Sequence, residues 1–286
     1  MLEFPASVSL PLAQWIDAIM GWILVNWGAF FDVVGDVILF GLLHIERFLL
    51  WLPWVVVVLL VGVVSWRVMR KWWLGLLMAA FFVLIGSLGY WDLAMMTLAV
   101  IIAAVIISLA IGIPTGILMA RSNAAESIIK PILDAMQTMP RFVYLIPALM
   151  LFGLGKVPAV FATIIYAVPP VIRLTDVGIR QVSPNVVEAA EAFGSSARQT
   201  LFEVQLPLAM PSIMVGVNQT TMMALAMVVI ASMIGARGLG LEVLLAINRI
   251  EVGRGFAAGL CIVLLAIVID RVTHALAARQ EQTTSL

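Results

Sequence analysis

Residues 183 to 207, SPNVVEAAEAFGSSARQTLFEVQLP, are a polar, charge-bearing stretch between two strongly apolar ones. They follow a dense pattern: Glu188, Ala189 and Ala190, then Gly194 after three residues, then Val204, Leu206 and Pro207. The chemistry available to such a stretch is recognition. Ser183 is a good N-cap and Pro184 a good first helical residue, so a short helix is predicted to start here and stop at Gly194 in a left-handed cap. Ser195 or Ser196 can cap a second short helix, predicted to end near Leu206-Pro207 because the residue before proline is pushed out of the helical region. Two small helices at a steep angle make a knob. Its Ala face permits close approach, and Glu188 and Glu191 offer charge to a partner; the alternative is an ordinary amphipathic surface hairpin.

A second polar group is Asn218, Gln219, Thr220 and Thr221, followed by Met222, Met223 and Met227. Uncharged polar and soft side chains can let a zwitterion pass without trapping it, which makes Asn218, Gln219, Thr221, Met222 and Met223 candidate lining of a path. The competing account is hydrogen bonding between helices with methionine filling gaps. No bond-breaking set accompanies either group. The Gly155-Lys156 pair lacks the upstream glycine and the following Ser or Thr of a phosphate loop. Nothing resembles a Ser-His-Asp set or an H-E-x-x-H metal helix. His44 and His274 are far apart in sequence with no Cys or His near either, which gives a metal site no support. Cys261, the single cysteine, sits in an apolar run and reads as a small packing residue. The chain alone is expected to be no enzyme, with no catalytic residue, metal or cofactor of its own.

The elements that position these groups are membrane helices. Hydrophobic residues make up 63% of the chain and charged ones 11%, and the mean hydropathy is +1.13. A soluble domain would be nearer half apolar. The net charge of zero gives no electrostatic case for nucleic acid. Apolar runs of spanning length predict an all-α integral membrane protein of about seven transmembrane helices near 49–66, 72–90, 93–119, 142–155, 157–173, 210–235 and 255–271. The fourth and fifth are short, and are read as tilted or partly buried in protein. Residues 12–31, with Trp15, Trp22 and Trp27 interleaved with Asp17 and Asn26, read as an amphipathic helix lying in the interface. The alternative is that they cross, giving eight spans. The organisation that follows is an N-terminal interfacial region over 1–48, two accessory helices over 49–91, a core over 92–273 containing the loop 183–207, and a tail over 274–286. The first residues show no cleavable signal.

With the segment 67–71 inside, eleven Lys and Arg fall inside and five outside. The positive-inside rule therefore places the 183–207 loop in the cytoplasm, the N-terminus outside and the C-terminus inside. Small residues at four-residue spacing, Ser108, Gly112, Gly116 and Ala120 in one row and Gly216, Thr220 and Ala224 in another, predict two helices inside the bundle. Pro114, Pro147 and Pro169-Pro170 mark bends or helix ends. Ionisable residues are nearly absent deep within the spans, which weighs against an ion-driven carrier and a voltage sensor.

The 183–207 pattern resembles the cytoplasmic coupling loop of the membrane subunits of binding-protein-dependent ABC importers, with Val204 where isoleucine is usual. From about Gly89 onward, GYWDLAMMTLAV, PILDAMQTMPRFVYLIPAL, YAVPPVIRLTDVGIRQV and LPLAMPSIMVGVNQTTMMALAMVVIASMIGARGLG look like the permease subunit of glycine betaine and proline betaine importers. The resemblance implies a type I ABC importer transmembrane fold in the cytoplasmic membrane of a prokaryote. It implies a second copy of this chain, two cytoplasmic ATPase subunits that bind ATP and Mg and receive the loops, and an external substrate-binding protein. It places docking on Glu188, Ala189, Ala190, Gly194, Leu206 and Pro207. Choline, carnitine, trimethylamine N-oxide or another small solute fits the same architecture; a channel or scaffold without ATP is the remaining alternative.

Overall fold

The computed structural model describes residues 11–284, and among these every regular element is helical. The first ten residues of the predicted 1–48 region and the last two of the 274–286 tail lie outside the described residues. Among the described residues five helices are long and apolar enough to cross a membrane, and a sixth if one bent pair counts as a single span.

Helix α1 runs unbroken over Leu12–Trp51, so the helix expected over 12–31 is the first half of a longer element and the boundary at 48 falls inside it. It ends where Pro53 holds Leu52 in an extended conformation. Helices α2 (Trp54–Met69) and α3 (Trp72–Ser87) form an apolar hairpin of 16 residues each. At about 24 Å apiece they are shorter than the roughly 30 Å hydrocarbon core. They approach closely where Gly62 faces Gly75: a Cβ on Gly75 would stand 2.5 Å from the Gly62 carbonyl oxygen.

Helix α4 (Trp91–Arg121) is followed at once by α5 (Asn123–Thr138), whose N-cap Ser122 accepts a hydrogen bond from the Ala125 N–H. Pro140 ends α5 by forcing Met139 extended. The chain then turns by 112° into a 3-10 turn at Arg141–Tyr144 and α6 (Leu145–Phe152). The span expected over 142–155 is therefore the second limb of a bent pair. Helices α7 (Lys156–Ala167) and α8 (Pro169–Arg180) make one 25-residue span. Pro169-Pro170 do not break it, because both sit in the first turn of α8, where a missing N–H costs no bond. After the polar segment that contains α9 (Pro184–Ala192) and the single turn α10 (Ala197–Gln199), α11 (Leu206–Ala231) returns through the bundle. Helices α12 (Leu239–Arg249) and α13 (Val252–Thr284) close the fold.

Helix α8 is clamped between α4 and α11. Both small-residue rows face it: a Cβ on Gly112 would stand 2.4 Å from Val171 Cγ1, and one on Gly216 would stand 3.1 Å from Val171 Cα. Close approach of backbones is what such rows permit in lipid. At the opposite end, the Gly155 N–H donates to the Ile234 carbonyl at 3.0 Å. Nearby the Leu239 N–H donates to the Thr97 hydroxyl at 2.9 Å. Helix α1 packs across α4, α6 and α7, with Ile38 and Leu42 buried against Ala99, Ala103, Val160 and Ile164.

Candidate coupling site and transport path

Helix α9 begins as expected, with Ser183 at the N-cap position and Pro184 first in the helix, though the Ser183 side chain makes no cap bond. Its end is a Schellman motif. The Gly194 N–H donates to the Glu191 carbonyl at 2.9 Å, and the Ser195 N–H to the Ala190 carbonyl at 3.1 Å. Gly194 has φ +89° with open space around the position of a Cβ, so glycine is required there by backbone conformation and not by crowding. Ser196 caps the next turn in a capping box with Gln199: the Gln199 N–H donates to Ser196 Oγ, and the Ser196 N–H to Gln199 Oε1 at 3.0 Å.

The predicted helix end at Leu206-Pro207 does not occur. The chain runs from α10 through a π-helical segment, Thr200–Gln205, directly into α11, and Leu206 is helical at φ −63°, ψ −45°. A π segment widens the turn ahead of Pro207, which then sits among the first residues of α11. Proline's missing N–H and its clash with the preceding turn are relieved together, so the rule for the residue before proline is overridden locally. The second limb of the knob is thus rigidly continuous with α11.

The motif residues divide by environment. Glu188, Ala189, Glu191, Gly194 and Pro207 are exposed; Ala190, Val204 and Leu206 are half-buried. Leu206 packs on a small core made by Ile179, Leu201, Ala209 and Ile213. No residue of α9 is fully buried; the helix projects from the bundle and rests against the π segment Thr200–Gln205. Its tip carries Phe193, 93% exposed, and Phe202 stands out from the π segment beneath Arg198, whose guanidinium lies 5.9 Å from the ring centre. Ser196, Arg198, Gln199, Phe202 and Glu203 line a shallow cleft of about 300 Å³. The sequence reading singled out neither aromatic. The place of Phe193 directly before the capping Gly194 was legible in the sequence, but its exposure was not.

The candidate path residues on α11 separate. The Asn218 side-chain oxygen accepts from the Thr273 hydroxyl of α13, which is a bond between helices. The Thr221 hydroxyl is buried and donates to the Val217 carbonyl at 2.7 Å. Gln219 is exposed and Met222 and Met223 are half-buried; spaced by three and four residues, they share one face of α11. A second polar and aromatic line, not singled out from sequence, runs over α5, the 3-10 turn that follows it, α7 and α8. Arg173 pairs with Asp134, Arg141 lies 5.2 Å from the Tyr166 ring centre, and the Tyr144 hydroxyl donates to the Met136 carbonyl.

The described residues form a helical bundle, with several helices long and apolar enough to cross a membrane and a projecting knob between two central helices. Residues 112–282 match the family described as binding-protein-dependent transport system inner membrane component. The chain belongs to that family. It is 47% identical over 275 residues to the glycine betaine/carnitine transport permease protein GbuB of Listeria monocytogenes, covering 95% of this chain and 97% of the relative. It is 46% identical over 266 residues to the glycine betaine/proline betaine transport system permease protein ProW of Escherichia coli, covering 93% and 75%. Among solved structures, an inward-facing form of the MetNI methionine ABC transporter shares the fold at a TM-score of 0.60 with 18% identity, covering 67% of this chain and 95% of that one.

Proposed function

We propose that this chain is the permease subunit of an ATP-driven importer that carries glycine betaine or a related quaternary amine inward by alternating access. The observation that carries this is the near full-length identity to the glycine betaine permeases of three organisms, at 44% to 47%. The knob adds physical support: an exposed α9, capped at Gly194 and rooted in the central helices α8 and α11, has the form of a lever. Two copies of the chain form the pathway. Two separate cytoplasmic ATPase subunits receive Glu188, Ala189, Ala190, Gly194, Leu206 and Pro207, and hydrolyse Mg-bound ATP. An external binding protein delivers the substrate and sets most of the selectivity. Gln219, Met222 and Met223 form the path face of α11, and Asn218 and Thr221 stabilise the helix behind it.

The loop lies in the cytoplasm and α1 on the outer side. Three anchor points of α1 support that placement: Gly35 against Phe152, Glu46 on Lys156, and the Trp51–Trp54 corner beside Trp91 and Asp92. All of these partners lie at the helix ends assigned to the outside. The amphipathic first half of α1 accordingly runs along the interface, where Trp15, Trp22 and Trp27 are at their preferred depth.

A cell lacking its own betaine uptake, supplied with this chain, its cognate ATPase and its binding protein, is expected to grow at high salt when glycine betaine is added. Rescue by choline or trimethylamine N-oxide and not by glycine betaine would keep the importer and overturn the substrate. No rescue by any quaternary amine, with all three proteins present, would overturn both.

A further inference from the structure

Arg180 is the last residue of α8, three positions before the N-cap of α9. Its guanidinium holds four groups from three helices. Nε donates to Asp176 Oδ1 at 2.8 Å, one turn back on α8. Nη1 donates to the side-chain oxygen of Asn123, the first residue of α5, at 3.0 Å. Nη2 donates to the Met119 carbonyl in the last turn of α4 at 2.6 Å, and lies 2.9 Å from Glu126 Oε2 in the first turn of α5. The Met119 carbonyl also accepts the Ser122 N–H at 3.2 Å, so the arginine adds a second bond at the end of α4 while gripping the start of α5. A planar fork with donors on all three nitrogens can do this; an ammonium cannot.

The link onward to α9 is short. The Gln181 N–H donates to the Val177 carbonyl, the Val182 N–H to the Ile179 carbonyl, and the Val186 and Val187 N–H groups to the Ser183 carbonyl. These bonds carry α8 as far as Val182 and start α9 at Ser183. Below it, Ile179 packs with Leu201 and Ala209, which joins the α8 end to the returning limb of the knob. Farther along, Arg173 pairs with Asp134, a second tie between α8 and α5.

We propose that Arg180 is a positioning residue that makes α9 and the α4–α5 corner move as one body, so that displacement of the knob is delivered to the bent α5–α6 pair. The proposal rests on the coupling role given to α9 above. Without the guanidinium, α9 still presents its face to the ATPase, but its motion dissipates in the α8–α5 contact.

The test uses the complete complex with cognate ATPase and binding protein in proteoliposomes, with glycine betaine as probe. Arg180→Gln is expected to retain bound ATPase and ATP hydrolysis while uptake per ATP falls by about three- to tenfold. Arg180→Lys should fall between it and the parent. In complexes where one of the two copies carries spin labels at Ser127 on α5 and Asn185 on α9, the parent should keep one narrow distance on vanadate trapping, and Arg180→Gln a broadened one. Should Arg180→Gln fail to fold, Asn123→Ala with Glu126→Gln removes the α5 side of the grip, and the same loss is expected. Unchanged uptake per ATP with an unchanged label distance overturns the proposal, as does a fall in yield or thermal stability alone. Failure of the coupling role itself reads differently: the parent complex would then lack the ATPase, or Gly194→Val would transport normally.

Discussion

Lys156 Nζ lies 2.7 and 2.6 Å from the two carboxylate oxygens of Glu46, joining the N-terminal helix to the first residue of α7. The carboxylate is nearly buried, and the lysine side chain keeps 22% of its exposure. A cation at a helix N-terminus opposes the helix dipole, so Glu46 makes the position of Lys156 tolerable. Glu46→Gln or Lys156→Gln alone should destabilise by about 1–3 kcal/mol, below the roughly 3–5 of a fully buried pair. The double variant should lose less than the sum. Thermal unfolding of the four proteins in detergent gives the cycle; strict additivity would show that the pair contributes nothing.

Packing of α8 against α4 predicts a ranking of glycine substitutions. A Cβ on Gly116 would stand 2.6 Å from the Ile172 carbonyl oxygen, while one on Gly28 meets nothing within 4 Å. Gly116→Ala should therefore cost about 1–3 kcal/mol through overpacking, and Gly28→Ala should leave the melting temperature unchanged or slightly raised. Equal melting temperatures would contradict the clamp.

The polar residues of α11 should respond in opposite ways. Asn218→Leu and Thr273→Val each remove the same bond between α11 and α13, so both should lower thermal stability, and together by little more than either. Gln219→Leu, on the open face with Met222 and Met223, should leave stability alone and change the uptake rate. A Gln219 variant that melts early and transports normally would reverse these assignments.

Membrane sidedness can be read from single cysteines, because the native Cys261 is fully buried and replaceable by alanine. Cysteines at Leu154 and Asp17 should react with an impermeant maleimide added outside, and a cysteine at Ser195 only from inside. Labelling of Asp17 from the cytoplasm would mean that the first half of α1 crosses the bilayer.

The sequence carried the knob well because its signals are local. The capping glycine, the Pro184 start and the Ser196 cap each act within a turn, and all appear at the expected residues. Pro207 was misleading since a six-residue π segment, which no residue type announces, absorbs the proline. The small-residue rows named the right helices, but that α8 fills the space between them is a tertiary fact. Likewise the sequence left Asn218 open between path lining and a bond between helices, because its partner Thr273 lies 55 positions away. In sequence Arg180 is only one of the eleven Lys and Arg counted inside; its partners are drawn from positions as far apart as Met119 and Asp176. Length misled for α1, where tryptophan spacing suggested a separate interfacial helix and the hydrogen-bonded chain simply continues to Trp51.

The central question for this chain is whether α9 converts ATP hydrolysis into import. Gly194→Val forces a branched residue into a left-handed conformation costing about 1–2 kcal/mol, at a site where no neighbour is crowded, so it should alter the knob and leave the bundle inserted. The decisive measurement is accumulation of labelled glycine betaine per ATP hydrolysed, in proteoliposomes holding the complete complex with binding protein outside and ATP inside, for the parent, Gly194→Val and Glu188→Lys. The parent should accumulate glycine betaine only with ATP, and both variants should hydrolyse ATP with little uptake. Accumulation without ATP, or variants that transport as well as the parent, would contradict the account.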